Sequence, residues 1–356
     1  MKPVSIIIRK AVCSALSAIM TVCLISSCVE YEEFADDERG CFESLWRTMD
    51  EHYCFFEEKK ETLGVDWNEV HARYADIIND KMSSNQLFEV LGNMVGELRD
   101  GHVNLSAPFD IARNWSWKED YPTNFSDTLQ RRYLGTDYRI SSGLRYRILD
   151  DNIGYIYCGT FDNVIGEGNL DYIMLHLALC NGLIIDVRNN GGGMITSAET
   201  LAQRFTDEKV LVGYMQHKTG KGHNDFSERQ PQYINPSEGI RWHKPVCVLT
   251  NRGTYSAANE FAKYMKAILK ANASKKGVPH GFLVGDTTGG GAGMPFSSEL
   301  PNGWSVRFSA CPMYDTDGNS TESGVAPDYP ANITDADFAK GKDTIIELAR
   351  SLLSNY

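Results

Sequence analysis

Two short stretches, Gly182-Leu-Ile-Ile-Asp-Val-Arg (182–188) and Pro245-Val-Cys-Val-Leu-Thr (245–250), are apolar almost from end to end. A strand wetted on one face alternates apolar and polar residues. An unbroken run of strand length belongs to a buried strand instead. Ile153-Gly-Tyr-Ile-Tyr-Cys (153–158), Val210 to Met215 and Phe282-Leu-Val-Gly read as further strands. Leu170 to Leu179, Ala198 to Phe205 and a segment from about Ala257 to Leu269 read as helices. Strands alternating with helices predict an α/β core with a mixed, largely parallel sheet over residues 153–334.

The flanks differ. Residues 38–105 have helical spacing, with Phe42, Leu45, Trp46 and Met49 on one face and Val70, Tyr74, Ile77 and Ile78 on another. Ser83-Ser84-Asn85 supplies a cap for a third helix through Leu87, Val90, Leu91, Met94 and Leu98. Together they form a small N-terminal helical domain. Residues 106–152 are rich in Trp, Tyr, Arg and Asp with weak periodicity, and read as a short connecting or lid region. Residues 335–356 read as a terminal helix, and the acidic residues 28–37 as a tether.

The first 27 residues read as a targeting segment: Lys2, Arg9 and Lys10, then an apolar stretch from Ala11 to Ile25. Ile25-Ser26-Ser27-Cys28 resembles a lipobox, which implies lipidation at Cys28 and an exported, membrane-anchored protein of the bacterial cell envelope, periplasmic or surface-facing. An ordinary secretory signal or a short anchor are the alternatives. The net charge of −12 falls to about −15 once residues 1–27 leave, and no basic stripe interrupts it. That excludes a nucleic-acid partner, because phosphate binding needs clustered Lys and Arg. Six of the nine cysteines would remain unlipidated in the processed chain, irregularly spaced in apolar surroundings and without a CxxC pair. They read as buried small hydrophobes, with no metal site and no cofactor expected.

Four motifs carry chemistry. Asn189-Asn190-Gly191-Gly192-Gly193 follows an apolar strand, where glycines expose N–H groups that can hold an oxyanion or simply make a turn. In Thr250-Asn-Arg-Gly-Thr-Tyr-Ser-Ala-Ala-Asn-Glu-Phe (250–261), Ser256 opens a helix. A serine there is either a nucleophile in the positive field of the helix N-terminus or a plain N-cap. The segment is not a GxSxG elbow, which disfavours an ordinary α/β-hydrolase. In Leu98-Arg-Asp-Gly-His-Val-Asn-Leu (98–105), His102 follows a glycine at a helix end and is a candidate general base. Glu322, in Glu322-Ser-Gly-Val-Ala-Pro-Asp (322–328) after the glycine-rich 285–293, is either a solvated loop carboxylate or the group that orients a base.

In this order, these motifs resemble the tail-specific protease family, which includes the C-terminal processing peptidases and the tricorn protease core. The resemblance covers about 38–330. It implies a core related to ClpP and crotonase, a serine peptidase acting on peptide or protein substrates, and Ser256 as nucleophile. It also implies an oxyanion hole from the N–H groups of Ala257 and of Gly191 or Gly192.

Two departures qualify the match. C-terminal processing members carry a Ser–Lys dyad, but here the lysine position reads Gly290-Gly291-Ala292. Tricorn-like members use a His and a Glu, at positions occupied here by His102 and Glu322, so the implied catalytic group is Ser256–His102 supported by Glu322. Tricorn has a Ser before its His; Gly101 stands there. The roughly 47 residues of 106–152 are too few for the PDZ domain of many relatives. Two other readings share the sequence: a non-catalytic lipid or glycan carrier on the same fold, with Trp115, Trp117 and Tyr121 lining its pocket or packing as a lid, and an esterase.

Overall fold

The computed structural model describes residues 33–113 and 115–355, the side chains of Ser116 and Trp117 excepted. The targeting segment and Cys28 lie outside the described residues. Of the acidic tether, Asp37 accepts a hydrogen bond from the Gly40 N–H and caps the helix Glu38–His52.

The central sheet has seven strands. Tyr329–Pro330, Gly281–Gly285, Val246–Thr250, Gly182–Asp186 and Ile153–Tyr157 lie side by side and parallel. Leu144–Ile148 and Arg139–Ser141 continue the sheet antiparallel. The mixed, largely parallel α/β core is therefore as expected. The unbroken apolar runs have their physical cause here, because both faces of the sheet are covered. Leu183, Ile185, Val246 and Val248 pack toward the helices Glu167–Leu177, Ile195–Ala202 and Ala257–Asn272. Ile184, Cys247, Leu249 and Val284 pack toward Ile345, Ile346 and Ala349 of the helix Thr344–Leu353.

A second, antiparallel sheet runs Asp110–Arg113, Asn104–Ala107, Ser305–Tyr314, Val210–Met215, Gln230–Ile234, with Gly293–Glu299 also on Ser305–Tyr314. Of its strands the hydrophobic pattern marks Val210–Met215, which is expected in the largely parallel core and instead pairs antiparallel here. The N-terminal helices close their core on this second sheet: Phe42, Leu45, Leu91 and Leu98 cluster with Leu300, Trp304, Val306 and Phe308. Ser83 and Gln86 form a capping box at the start of the helix Ser84–Gly96.

Residues 106–152 are not a separate connector. Their start pairs into the second sheet, the helix Asp127–Leu134 packs on the central one, and Leu144 and Tyr146 are buried while Arg145 is exposed. That alternation is the signature of a strand with one wet side, and it extends the core sheet before residue 153. The terminal segment is two helices, Asp335–Ala339 and Thr344–Leu353, parted at Gly341 (φ +73°) and restarted by the Asp343 cap. Among the described residues no helix is long and apolar enough to cross a membrane.

Candidate active site

Val246–Thr250 ends at the edge of the sheet, a short turn follows, and the helix Ala257–Asn272 begins directly after Ser256. Ser256 has φ 55° and ψ −123°, and its side chain makes no capping bond. A non-glycine residue held there costs about 1–3 kcal/mol and persists only where its surroundings impose it. The imposing contacts are backbone bonds on both sides: Ser256 N to Gly290 O (2.9 Å), Tyr255 N to Asn190 O (2.9 Å) and Glu260 N to Ser256 O (3.0 Å). The hydroxyl is thus displayed by a strained strand-to-helix turn although the GxSxG pattern is missing, and the capping alternative has no hydrogen bond to support it.

His102 Nε2 lies 2.8 Å from Ser256 Oγ. The two residues are 154 apart in the chain and meet because Asn104–Ala107 pairs with Ser305–Tyr314, which seats the helix-end turn over the sheet. The ring is 3% exposed and stands edge-on to Tyr255 at 5.1 Å. Burial pushes its pKa down to about 4; the Asp100 carboxylate acts in the opposite sense, and Arg307 adds to the lowering. The Gly293 backbone favours the protonated ring, although no acceptor meets hydrogen-bond geometry at the buried Nδ1.

The glycine turn touches the same hydroxyl-bearing residue. A Cβ on Gly192 (φ +102°) would meet Ser256 Cβ at 2.8 Å and Ala257 N at 2.9 Å, so only glycine allows this approach. The Gly192 N–H, however, donates to Asn190 Oδ1 at 2.9 Å. Of the two glycines matched to the oxyanion hole, Gly192 therefore brings the turn into contact but has its own donor engaged. The N–H groups of Gly191 and of Ala257, the first residue of its helix, have no acceptor among the described residues.

Glu322 does not hydrogen-bond His102. Its Oε1 accepts from Lys59 Nζ at 3.1 Å and its Oε2 from the Ala292 N–H at 3.0 Å. Nor is it a solvated loop group, since it is 7% exposed. Asp100, also buried, accepts from the His102 N–H (2.8 Å), Ser309 Oγ (2.8 Å) and Tyr255 OH (3.3 Å). Burial pushes Glu322 up to about 8, with Lys59 pulling the other way. For Asp100, burial is outweighed by Lys59 and His102, which hold it below the usual carboxylate range. Lys59 is raised, because Glu322 and Asp100 together outweigh the burial that lowers it.

The motifs point to neither Lys59 nor Asp100 as a member of the site. Lys59 sits 263 residues from its partner in an unremarkable FEEKKETL helix. Asp100 has a signal only as a neighbour of His102 in the same motif. A Cβ on Gly101 would lie 2.9 Å from Tyr255 OH, so that phenol occupies the space a side chain at this position would need.

Two further lysines that could replace the missing base of a Ser–Lys dyad are engaged with carboxylates: Lys263 pairs with Glu260 at 2.5 Å, and Lys275 with Glu208. Over Tyr255 lies the turn Ser116–Asp120. Lys118 Nζ stands 4.0 Å from the Trp115 ring centre and 5.0 Å from that of Tyr255, and Arg252 stacks on Tyr121 at 4.0 Å. Trp115 and Tyr121 are thus packed against this face of the site by cation–π contacts. The side chain of Trp117 is outside what the structure describes.

Comparison with known proteins shows what the chain is similar to. The profile of the tricorn protease C1 domain matches residues 34–96, the helices that carry Lys59 and lead to His102. A Parabacteroides merdae protein assigned as a peptidase is similar at 50% identity, with a TM-score of 0.82 over 90% of this chain and 97% of that one. Mature CPAF bound to lactacystin shares the fold at 12% identity, with a TM-score of 0.67 over 90% of this chain and 99% of that one. The carboxy-terminal processing protease CtpA of Bacillus subtilis is 28% identical over 188 residues, 52% of this chain but 36% of that relative, so the match spans about a third of the relative's length. The Peptidase family S41 profile matches residues 152–331, half of the chain, from the first parallel strand through the glycine turn and Ser256 to Glu322. On that match the chain belongs to peptidase family S41.

Proposed function

We propose that this protein is a serine peptidase acting through an acyl-enzyme at Ser256. His102 Nε2 takes the Ser256 proton as Oγ attacks the peptide carbonyl. The N–H groups of Ala257 and Gly191 receive the oxyanion, each such donor being worth about 3–4 kcal/mol in a preorganised site. His102 then passes its proton to the leaving amine, and water, activated by the same ring, releases the acyl group. The single observation that carries this reading is the 2.8 Å Oγ–Nε2 contact on a strained, uncapped serine. Glu322 fits a positioning role: it holds the Ala292 N–H, and the next residue, Gly293, is the backbone group that bears on the His102 ring.

A fluorophosphonate should label the wild-type protein and leave Ser256→Ala unlabelled. Equal labelling of both removes the nucleophile assignment. No labelling of the wild type, with tight lipid or glycan binding, returns the carrier reading.

We also infer that the mature protein is anchored by lipid at Cys28, on the strength of Ile25-Ser26-Ser27-Cys28. Cells fed an alkyne-bearing palmitate should produce a tagged protein, and Cys28→Ser should abolish the tag. Retention of the tag in the variant rules out that anchor.

A further inference from the structure

A cavity of about 240 Å³ opens beside Tyr255, the residue before Ser256, and its wall includes Lys59, Arg99, Arg252, Asp120 and Glu322. Lys59 and Glu322 satisfy one another at 3.1 Å. The two guanidiniums are in a different situation. Arg252 reaches a single carbonyl, that of Thr288, at 3.4 Å, and its buried Nε has no partner among the described residues. Its Cζ lies 4.0 Å from the centre of the Tyr121 ring, a cation–π contact that uses none of the group's hydrogen-bond donors. Arg99 is exposed and follows the helix Ser84–Gly96 in the left-handed turn (φ 45°) that leads to His102. Neither arginine has a carboxylate partner among the described residues, and Asp120 is the sole wall acid not already matched by a lysine.

A pocket with two arginines and one opposing acid, a residue away from a nucleophile, selects an anion. Guanidinium forks match carboxylates in plane and in spacing. We propose that this cavity is a substrate subsite for an acidic side chain, Asp or Glu, close to the scissile bond, with Arg99 and Arg252 as the specificity-determining residues. Its place in the reaction rests on the hydrolytic reading of Ser256; the binding itself does not.

The test uses the full Ser256→Ala protein and fluorescent peptides in pairs, Glu against Gln at one position, each with a free or an amidated C-terminus. A charged hydrogen-bonded pair corresponds to about a tenfold or greater preference for Glu at low salt, and that preference should survive amidation. Adding Arg252→Gln, or separately the exposed Arg99→Gln, should remove most of the ratio. Equal binding of Glu and Gln peptides, or a preference that outlives both substitutions, overturns the proposal. So does a preference lost on amidation, which would assign the pocket to a chain terminus. Failure of the wild type to react with phosphonate would instead overturn hydrolysis while leaving this binding ratio standing.

Discussion

His102→Ala should lower kcat by about 10⁴- to 10⁶-fold and leave the fold intact. Catalytic serine–histidine units act as a whole, so losing the base costs nearly as much as losing the nucleophile. The expectation is this large because His102 Nε2 is within hydrogen-bond reach of Ser256 Oγ, at 2.8 Å, while Lys263 and Lys275 are paired with Glu260 and Glu208. The same burial has a signature in the wild type. With its pKa pushed down to about 4, the ring is neutral and ready as a base at pH 7. The acid limb of kcat/KM should therefore fall through about pH 4, well below the limb near 6.5 of an unperturbed imidazole. Burial that keeps the ring neutral also makes the imidazolium costly in the transition state, and Asp100, which favours the charged ring, offsets that cost. Asp100→Asn should accordingly move the limb lower still. Steady-state kinetics from pH 3 to 9 would measure both effects. Activity of His102→Ala within tenfold of wild type, with an unchanged limb, would falsify the assignment.

The largest stability effect is expected at Arg188. Its guanidinium, fully buried, binds Asp186 through Nε (2.9 Å) and one terminal nitrogen (2.7 Å), and Asp343 through the other (2.9 and 3.1 Å). Burial works against this charge, but the two carboxylates outweigh it and raise the pKa. Arg188→Met would leave two buried carboxylates facing each other with no cation between them. Breaking a buried pair in this way costs about 3–5 kcal/mol, because the partners left behind cannot be resolvated. The variant should regain stability as the pH falls, since orphan buried carboxylates have pKa values above those of the unfolded chain and folding then takes up protons. Asp343→Ala should be milder, because Arg188 keeps its two bonds to Asp186. It loses chiefly the cap on Ile345 N and Ile346 N, worth about 1 kcal/mol. Urea unfolding at pH 5 and pH 7.5 would rank the three proteins. A loss below about 1 kcal/mol for Arg188→Met, or a loss that deepens at low pH, contradicts the argument.

Arg188 and His102 also illustrate how far the amino-acid order can be read. Both lie in segments that the residue pattern marks, one at the end of an apolar strand and one after a helix-ending glycine. Periodicity identifies their elements. It does not supply their partners, because Asp343 is 155 residues from Arg188 and Ser256 is 154 from His102. The expected Ser256–His102 pairing comes from resemblance, not from spacing. The same resemblance sets Glu322 in support of His102, yet its hydrogen bonds go to Lys59 and Ala292. Residues 139–148 read as connector because edge strands with one wet face alternate with arginines and carry little hydrophobic signal.

What the sequence by itself determined is local: buried strands from unbroken apolar runs, helices from their 3.6-residue faces, and a serine at a strand-to-helix junction beside glycines. These follow from hydrophobic pattern and backbone sterics, which act between near neighbours. Only the tertiary structure decided which distant groups share the buried site. The pairing of Glu322 with Lys59, 263 residues away, is governed by desolvation and Coulomb forces across elements far apart in the chain, and neither leaves a periodic mark in the residue order.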